Sequence, residues 1–288
     1  MKYTEKKIIS VSGAPLLSLQ QISAKQLGEP VSYPVYTILL IPKGKGSFQA
    51  DFGNFSFEGP VIFFATPFQT IYFKEIPKTK VMLLQFHGDF YCIAYHKAEV
   101  ACNGLLFNNI FLEPSIKLNL QEAQSFEHLL GQLKAELNQE QPNEAVLTAY
   151  LQLFLAQSSR IKLKSKPSAI QPVKEELMEA FQNALEENFL NLRKPADYAE
   201  LLHLNPNTFT KRCKRYFGKT PTILIQERLI LEAKKQLHLT RKSIKEVAYA
   251  LNFEDEYYFS RFFKKMTGVS PQIFREKTGI SIVADLSM

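Results

Sequence analysis

Four polar side chains suited to nucleic-acid contact recur at helical spacing in the C-terminal third of the chain. Asn207, Thr210, Lys211 and Lys214 follow one another at i, i+3, i+4 and i+7, so a helix places them on one side. The apolar stripe of that helix lies opposite and is expected to be buried: Phe209, Cys213 and Tyr216. Lysine pairs with guanine and asparagine with adenine in the DNA major groove. The pattern predicts a helix that reads bases, with a solvated helix face as the alternative.

A second helical segment, 50 residues later, repeats this arrangement. Its expected core stripe consists of Phe259, Phe262 and Phe263. The candidate base-facing residues on the other side are Glu256, Tyr257, Ser260 and Arg261. The basic residues of both segments that are expected to contact phosphate are Arg212, Lys214, Arg215, Lys264 and Lys265.

The two segments belong to an internal repeat. The sequence FTKRCKRYFGKTP at 209–221 aligns with FSRFFKKMTGVSP at 259–271, an offset of 50 residues. Further upstream the offset slips by one residue, so that Ala199 matches Ala248 and Leu204 matches Phe253. Two copies of one supersecondary unit are therefore predicted.

Residues typical of helix starts, tight turns and helix ends recur in both copies. In the first copy Pro195 suits the first position of a helix, His203 lies where the chain must turn, and Asn205 caps the next helix. In the second copy Ser243 and Glu246 form a capping box for the first helix, Asn252 lies at the turn, and Asp255 caps the next helix. The glycines expected to end the second helices are Gly218 and Gly268. These signals predict two helix-turn-helix units, whose second helices enter the major groove.

A long helix from Thr222 to about Leu239 is predicted to join the two units, with Arg228 and Glu232 as an i,i+4 ion pair. A rigid joining helix would let the two reading helices enter successive major grooves, about 34 Å apart on one face of the DNA. A geometry that does not match straight DNA would have to bend it, at a cost of order 1–6 kcal/mol.

The N-terminal part has a different pattern. Residues 8–115 contain short runs rich in β-branched and aromatic residues, separated by Gly and Pro. The clearest are Val35–Ile41, Ser47–Phe52, Val61–Phe64, Thr70–Phe73 and Lys80–Phe86. Many short, closely spaced strands predict a β-sandwich or β-barrel.

Two helices are predicted to follow the strands. Asn119 and Glu122 form a capping box for the first, and the second begins after Asn143. Their apolar faces fit either packing on the sheet or a dimer seam with a second copy. Residues 158–172 contain four basic residues and two prolines, and their apolar residues show no regular spacing, which predicts a linker. The expected domains are a cupin-like sensing and dimerisation domain, the linker, a double helix-turn-helix domain and a C-terminal tail: 1–157, 158–172, 173–276 and 277–288.

The net charge of +7 is concentrated in the C-terminal part. Residues 1–157 carry 12 basic and 13 acidic groups, a net charge of −1, whereas residues 158–288 carry 23 and 15, a net charge of +8. Such asymmetry favours a polyanionic partner for one half only, with a solvated basic surface as the alternative. The polar N-terminus, the three cysteines and the absence of a long apolar run lead us to expect a soluble cytoplasmic protein.

Signals for an enzyme are weak. Cupin-like metal sites need clustered ligands, but residues 1–157 hold only His87, His96 and His128, without a His-x-His pair. Cys92 and Cys102 fit a redox pair or, more commonly, buried structural thiols. We therefore expect no catalytic residue, no metal site and no cofactor.

The C-terminal segments resemble the AraC/XylS (arabinose-regulator) family of bacterial transcription regulators over about Val173 to Arg275. The resemblance rests on LNPNTFTKRCKRYFGKTP (204–221), ERLILEAKKQL (227–237) and IKEVAYALNFEDEYYFSRFFKKMTGVSPQIFR (244–275). It implies two helix-turn-helix units that bind promoter DNA as one rigid domain. By position it implies these base-facing residues, all of which the spacing also indicates: Asn207, Thr210, Lys211, Glu256, Tyr257, Ser260 and Arg261. Asn252 departs from the family pattern, where Gly is common, as do Arg212 and Cys213, where apolar residues are usual.

The N-terminal part resembles the cupin-like sensing domain of many such regulators in its strand pattern and order. The resemblance implies an α+β multidomain protein in which the first domain binds a small effector and helps dimerisation. We therefore expect a sequence-specific DNA-binding transcription regulator, in particular an activator. Its expected partners are double-stranded promoter DNA, RNA polymerase, a small-molecule effector and a second copy of the chain. The alternatives are a cupin-type enzyme or small-molecule binding protein with a basic helical appendage, and a regulator without an effector.

Overall fold

The computed structural model describes residues 6–9, 15–75, 78–91, 105–107, 110–111, 113–164 and 176–279. These residues form two compact units. The first unit comprises residues 6–107 and 113–164, and the second comprises residues 176–279 together with 110–111. The predictions made for Cys92, His96 and Cys102 lie outside the described residues.

Two antiparallel sheets form the β-sandwich of the first unit. The strands described in them are β1 (Lys6–Ile9), β2 (Pro15–Ser23), β3 (Val31–Ser32), β4 (Tyr36–Ile41), β5 (Lys45–Ala50), β6 (Gly53–Glu58), β7 (Val61–Ala65), β8 (Thr70–Glu75), β9 (Lys80–Phe86) and β10 (Ser115–Lys117). One sheet has the order β1-β2-β9-β4-β7-β10 and the other the order β3-β8-β5-β6. The five runs singled out in the sequence all become strands, which confirms the predicted β-rich domain.

Alternation along the central strand β4 divides the core into two layers. Leu39 and Ile41 lie with Phe48, Phe63 and Phe73 in the layer between the sheets. Ile38 and Leu40 point to the other face of the sheet, where a second apolar cluster lies. Both faces of β4 are covered, and every residue of the strand is buried. The continuous apolar run in the sequence reflects this double burial.

Two helices cover the outer face of the larger sheet: α1 (Leu120–Leu137) and α2 (Glu144–Lys164). The predicted capping box is present, since Glu122 N donates to Asn119 Oδ1 at 2.8 Å and Asn119 N donates to Glu122 Oε2 at 2.8 Å. Leu133 of α1 and Leu151 of α2 are fully buried in the cluster that also contains Ile38 of the sheet. Of the two interpretations of these apolar faces, packing on the sheet is confirmed.

The predicted linker begins later than expected. Residues 158–164 continue α2, and Ser158, Ser159 and Ile161 are buried. The Ser158 hydroxyl donates to the carbonyl of Phe154 at 2.8 Å, so the serine is satisfied inside the helix. The Lys162 amino group donates to the carbonyls of Glu113 and Ser115, each at 2.7 Å. The prediction of a linker was wrong for residues 158–164. The serines and lysines of this segment show no apolar helical period, and the helix is stabilised there by burial and by contacts distant in the sequence.

Seven helices are described in the second unit: α3 (Glu176–Asn188), α4 (Pro195–Leu201), α5 (Pro206–Phe217), α6 (Pro221–Leu239), α7 (Ile244–Ala250), α8 (Glu256–Thr267) and α9 (Pro271–Thr278). Helix α6 is the predicted joining helix. Helix α9 runs past the predicted domain end at residue 276, because Thr278 is buried and its hydroxyl donates to the carbonyl of Phe274 at 2.8 Å. Among the helices in the described ranges, none has the length and apolar content needed to cross a membrane.

Candidate nucleic-acid interface

The first candidate reading helix, α5, is fixed at both ends by short-range signals. Asn205 caps it, because its Oδ1 accepts a hydrogen bond from Asn207 N at 2.9 Å, and Pro206 occupies the first helical position. Gly218 ends it with φ = 69°, a left-handed conformation that glycine adopts without a Cβ clash. These caps confirm the predicted start and end of the helix.

One face of α5 is buried, as the sequence pattern predicts. Phe209 and Cys213 are fully buried, whereas Tyr216 is only half-buried. Successive helix residues turn by about 100°, so Asn207 and Lys211 lie opposite Phe209. Both are exposed. The helix therefore presents its polar side outward.

The second candidate reading helix, α8, has the same construction. The carboxylate of Asp255 accepts hydrogen bonds from the backbone amides of Tyr257 and Tyr258, each at 3.0 Å. Gly268 ends the helix with φ = 82°. Phe259 and Phe263 are fully buried, while Phe262, predicted to belong to the same stripe, is half-buried.

The turns before the two reading helices are duplicates of each other. His203 and Asn252 each have φ = 55°, in the left-handed region. Leu204 N donates to Ala199 O at 2.7 Å, and Phe253 N donates to Ala248 O at 2.9 Å. This is the six-to-one bond of a Schellman helix end. The repeat seen in the sequence, including its one-residue slip, is thus a repeat of backbone geometry.

The predicted base-facing residues are all accessible. Asn207, Lys211, Tyr257 and Arg261 are exposed, and Thr210, Glu256 and Ser260 are partly exposed. The Thr210 hydroxyl donates to the carbonyl of Pro206 at 2.9 Å, so its proton is engaged within the helix. Thr210 therefore offers DNA its methyl group and an oxygen lone pair.

The predicted phosphate contacts lie beside these residues. Lys214, Arg215, Lys264 and Lys265 are exposed, whereas Arg212 is partly buried. Partial burial of Arg212 agrees with an aliphatic stem that lies along apolar surface while the charged end reaches outward. Lys214 and Arg215 of the first helix thus match Lys264 and Lys265 of the second, whereas Arg212 matches Phe262.

The sequence reasoning missed two exposed side chains at the start of the reading helices. Thr208 on α5 and Tyr258 on α8 occupy matched positions and are exposed. They extend the outward face beyond the i, i+3, i+4 and i+7 stripe. The offset of 50 residues was the signal that could have found them.

Helix α3 supports the first reading helix. The ring of Phe181 lies 4.9 Å from that of Phe209 and 5.5 Å from that of Tyr198 on α4. The Tyr198 hydroxyl donates to the carbonyl of Leu192 at 2.9 Å. Burial, with a smaller contribution from Asp197, raises the pKa of Tyr198, so the hydroxyl remains a donor at neutral pH. These contacts hold α4, α5 and the segment after α3 together.

The first helix of the second copy, α7, has the predicted capping box. Glu246 N donates to the Ser243 hydroxyl at 3.1 Å, and Ser243 N donates to the Glu246 carboxylate at 2.6 Å. The bond from the Ser243 backbone amide lowers the pKa of Glu246, since it favours the carboxylate.

Helix α6 is tied to α3. The Arg228 guanidinium contacts Glu186 of α3 at 2.8 Å and the predicted partner Glu232 at 3.6 Å. It also lies over the ring of Phe189, 3.8 Å from the centroid. The joining helix is thus attached to α3 through Arg228 and does not act as a free tether between the two copies.

The described residues offer little for metal chemistry. His87 Nδ1 lies 3.6 Å from Asp89 Oδ2, but within the described ranges no three His, Cys, Asp or Glu side chains come together as metal ligands would.

Comparisons with known proteins agree with this geometry. Residues 198–277 match the family described as helix-turn-helix domain. The arabinose operon regulatory protein of Escherichia coli is 35% identical over 80 residues, which cover 28% of this chain and 27% of that protein. The raffinose operon transcriptional regulatory protein RafR of Pediococcus pentosaceus is 26% identical over 130 residues, which cover 45% of this chain and 44% of that protein. The chain thus spans less than half the length of either relative.

A crystal structure of ToxT from Vibrio cholerae O395 aligns over 91% of this chain and 97% of its own, with 13% identity and a TM-score of 0.42. The residues matched by the helix-turn-helix family, 198–277, include both candidate reading helices, both turns and the joining helix. The matched region is therefore a helix-turn-helix domain, and the chain is similar to regulatory proteins of the arabinose and raffinose operons.

Proposed function

We propose that the protein is a sequence-specific transcription regulator whose helices α5 and α8 read base edges in two successive major grooves of promoter DNA. One observation supports this most strongly. The same capped helix, preceded by the same left-handed turn and carrying an exposed polar face, occurs twice within one compact unit.

The exposed side chains suggest a division of labour on each helix. Lys211 and Arg261 suit the acceptor pair of guanine, and Asn207 suits adenine. Glu256 accepts a hydrogen bond from the amino group of cytosine, and the Thr210 methyl group suits thymine. Tyr257 and Ser260 complete the base-facing set. These contacts would supply the preference for one sequence over another.

Phosphate contacts would supply most of the affinity. The basic side chains assigned to this role are Arg212, Lys214, Arg215, Lys264 and Lys265. Each neutralised phosphate releases a counterion, so affinity should fall steeply with salt concentration.

Selection of bound sites from random DNA by the full chain tests the proposal. We expect a two-part motif whose halves have centres about 10–10.5 base pairs apart. Recovery of sequences without a shared motif, in the presence of bulk genomic competitor, would reject it.

We extend the proposal to a homodimer formed along α2. The buried side of this helix packs on the sheet, but its other side carries Val146, Leu153 and Leu163, which are 36%, 46% and 63% exposed. Ala149 and Ala156 lie between them at heptad spacing. An exposed apolar stripe of this kind favours helix–helix contact with a second copy.

A small-molecule effector remains a prediction from the family resemblance. Between the described sheets, the ring of Phe48 lies 4.1 Å from Phe63 and 5.4 Å from Phe73, so the interior there is filled by aromatic side chains. An effector in that layer would have to displace them. Thermal-shift measurements across a metabolite panel provide the test, and a dose-dependent rise in melting temperature would identify a ligand.

The roles of activator and RNA polymerase partner, and a cytoplasmic location, belong to the same proposal, because a regulator must reach DNA and polymerase together. Transcription in vitro from a promoter that carries the selected site tests activation. A transcript level that rises with added protein is the expected result, and a fall would identify a repressor.

A further inference from the structure

The second turn is held by a residue that the sequence reasoning did not single out. Arg193 lies between α3 and α4, and its guanidinium donates hydrogen bonds to the carbonyls of Leu251 and, at 3.0 Å, Asn252. The same guanidinium lies over the ring of Phe253, 4.4 Å from the centroid. Arg193 therefore contacts all three residues of the turn that precedes the second reading helix.

Asn252 in turn contacts the segment that precedes Arg193. Its side-chain amide donates to the carbonyl of Leu190 at 3.3 Å and to Asn191 Oδ1 at 3.0 Å. The two segments, Leu190–Arg193 and Leu251–Phe253, are thus joined by hydrogen bonds in both directions. We call this pair of segments the clasp.

The clasp connects the two copies of the repeat. The Leu192 carbonyl accepts a hydrogen bond from Tyr198, whose ring packs against Phe181, and Phe181 in turn packs against Phe209 of α5. On the other side, the ring of Phe253 lies 5.2 Å from that of Phe259 of α8. A continuous chain of contacts therefore runs from one reading helix to the other without passing through the joining helix α6.

The side chain at position 252 makes this clasp possible. Asn252 has φ = 55°, a left-handed conformation in which glycine is unstrained. Glycine has no side chain and could not bind Leu190 or Asn191. His203, at the matched position of the first turn, has the same φ but is exposed and makes no side-chain hydrogen bond with the described part of the chain.

Charge strengthens the clasp. Hydrogen bonds from a guanidinium are charge-assisted, and the planar group can bind two carbonyls at once. Burial lowers the pKa of Arg193, but arginine stays protonated at physiological pH.

We propose that Arg193 and Asn252 are positioning residues that fix the spacing and angle between α5 and α8, and so set the distance between the two half-sites that the protein accepts. This inference rests on the proposed function. One added base pair moves the second half-site by roughly 3.4 Å and rotates it by about 34°. A protein that holds the two helices at a fixed spacing and angle should bind the altered site more weakly. A protein in which that geometry is loosened should bind both sites with similar affinity.

The test measures the affinity of the full chain for its selected site and for the same site with one base pair added or removed between the halves. For the unaltered protein we expect the spacer change to weaken binding about fivefold or more. For Asn252→Gly and for Arg193→Lys we expect the penalty to shrink to less than about twofold, with weaker binding to the best spacing as well.

His203→Gly is the matched control, because it removes the same left-handed strain at a turn without a clasp. It should keep the full spacer penalty. A full penalty in Asn252→Gly and Arg193→Lys would overturn the inference, as would an equal loss of the penalty in His203→Gly. Failure of the unaltered protein to recognise a two-part site would instead reject the proposed function, and the inference with it.

Discussion

At the scale of single residues, Thr210 shows how the fold limits the chemistry that a side chain offers. From the sequence, its hydroxyl could donate or accept. In the structure the hydroxyl proton is directed to Pro206 O, so we expect a DNA contact by this residue to use its methyl group.

The methyl group of Thr210 can be tested by two small substitutions. Thr210→Val keeps a methyl group and should keep a preference for thymine at the contacted position. Thr210→Ser removes one methyl group and should cost about 0.8 kcal/mol there. The preference is measured by competition binding with DNA that carries each of the four bases at that position. If Thr210→Ser keeps the preference for thymine and Thr210→Val loses it, the hydroxyl group makes the contact.

Lys211 and Arg261 are expected to act as base readers. Replacement of either by Ala should cost about 1–3 kcal/mol on the selected site and much less on random DNA. Binding titrations on both DNAs separate the two affinities. Equal weakening on both would contradict base reading.

Lys214 provides the contrasting case on the same helix. Lys214→Ala should weaken binding uniformly on all sequences and reduce the slope of log affinity against log salt by about one. A sequence-dependent loss would move Lys214 into the base-facing set.

At the scale of elements, the capping box of α7 predicts a pH dependence of stability. The pKa of Glu246 is depressed in the folded protein, so its contribution is present above the ordinary carboxyl pKa of 4.5 and is lost as the pH falls through the lower folded value. Glu246→Gln should therefore be less stable than the unaltered protein at pH 7 and equally stable well below pH 4. Urea unfolding at a series of pH values gives the difference, and a difference independent of pH would contradict the assignment.

The exposed stripe of α2 makes a prediction about assembly. Leu153→Glu places a charge in the proposed dimer seam and should shift the protein toward monomer, because burial of an unpaired carboxylate is costly. Sedimentation equilibrium measures the change. Gln124→Glu, on the exposed side of α1, serves as a control for added charge, and identical dissociation in both variants would argue against a seam centred on Leu153.

The elements also show where sequence reasoning succeeds. Caps at Asn119, Asn205, Ser243 and Asp255 were predicted correctly because each depends on residues two or three positions away. Both turns were located by a different signal, the match between the two copies of the repeat. Local signals thus fixed most of the second unit and the surface that it presents.

Long-range contacts account for the errors and omissions. The end of α2 is held by Lys162, whose partners Glu113 and Ser115 lie 49 and 47 residues away. Arg193 contacts residues 58 and 59 positions later, and in the sequence it is one basic residue among many. No periodicity or capping rule reports such pairs.

At the scale of the whole molecule, charge and duplication point to the same unit. Residues 158–288 carry 23 basic and 15 acidic groups, a net charge of +8. In the same unit, α5 and α8 each have an outward face with exposed basic side chains. In the proposed function, electrostatic attraction brings the protein to DNA in any register, and the two reading faces together select one register. The proposal therefore requires both copies to act at a fixed separation.

Methylation interference on the selected site tests this central claim most directly, because methylation at guanine N7 blocks the major groove. We expect two clusters of interfering guanines on one face of the DNA, with centres about one helical turn apart. Lys211→Ala should abolish one cluster and Arg261→Ala the other. A single cluster, or loss of the same cluster in both variants, would contradict the account.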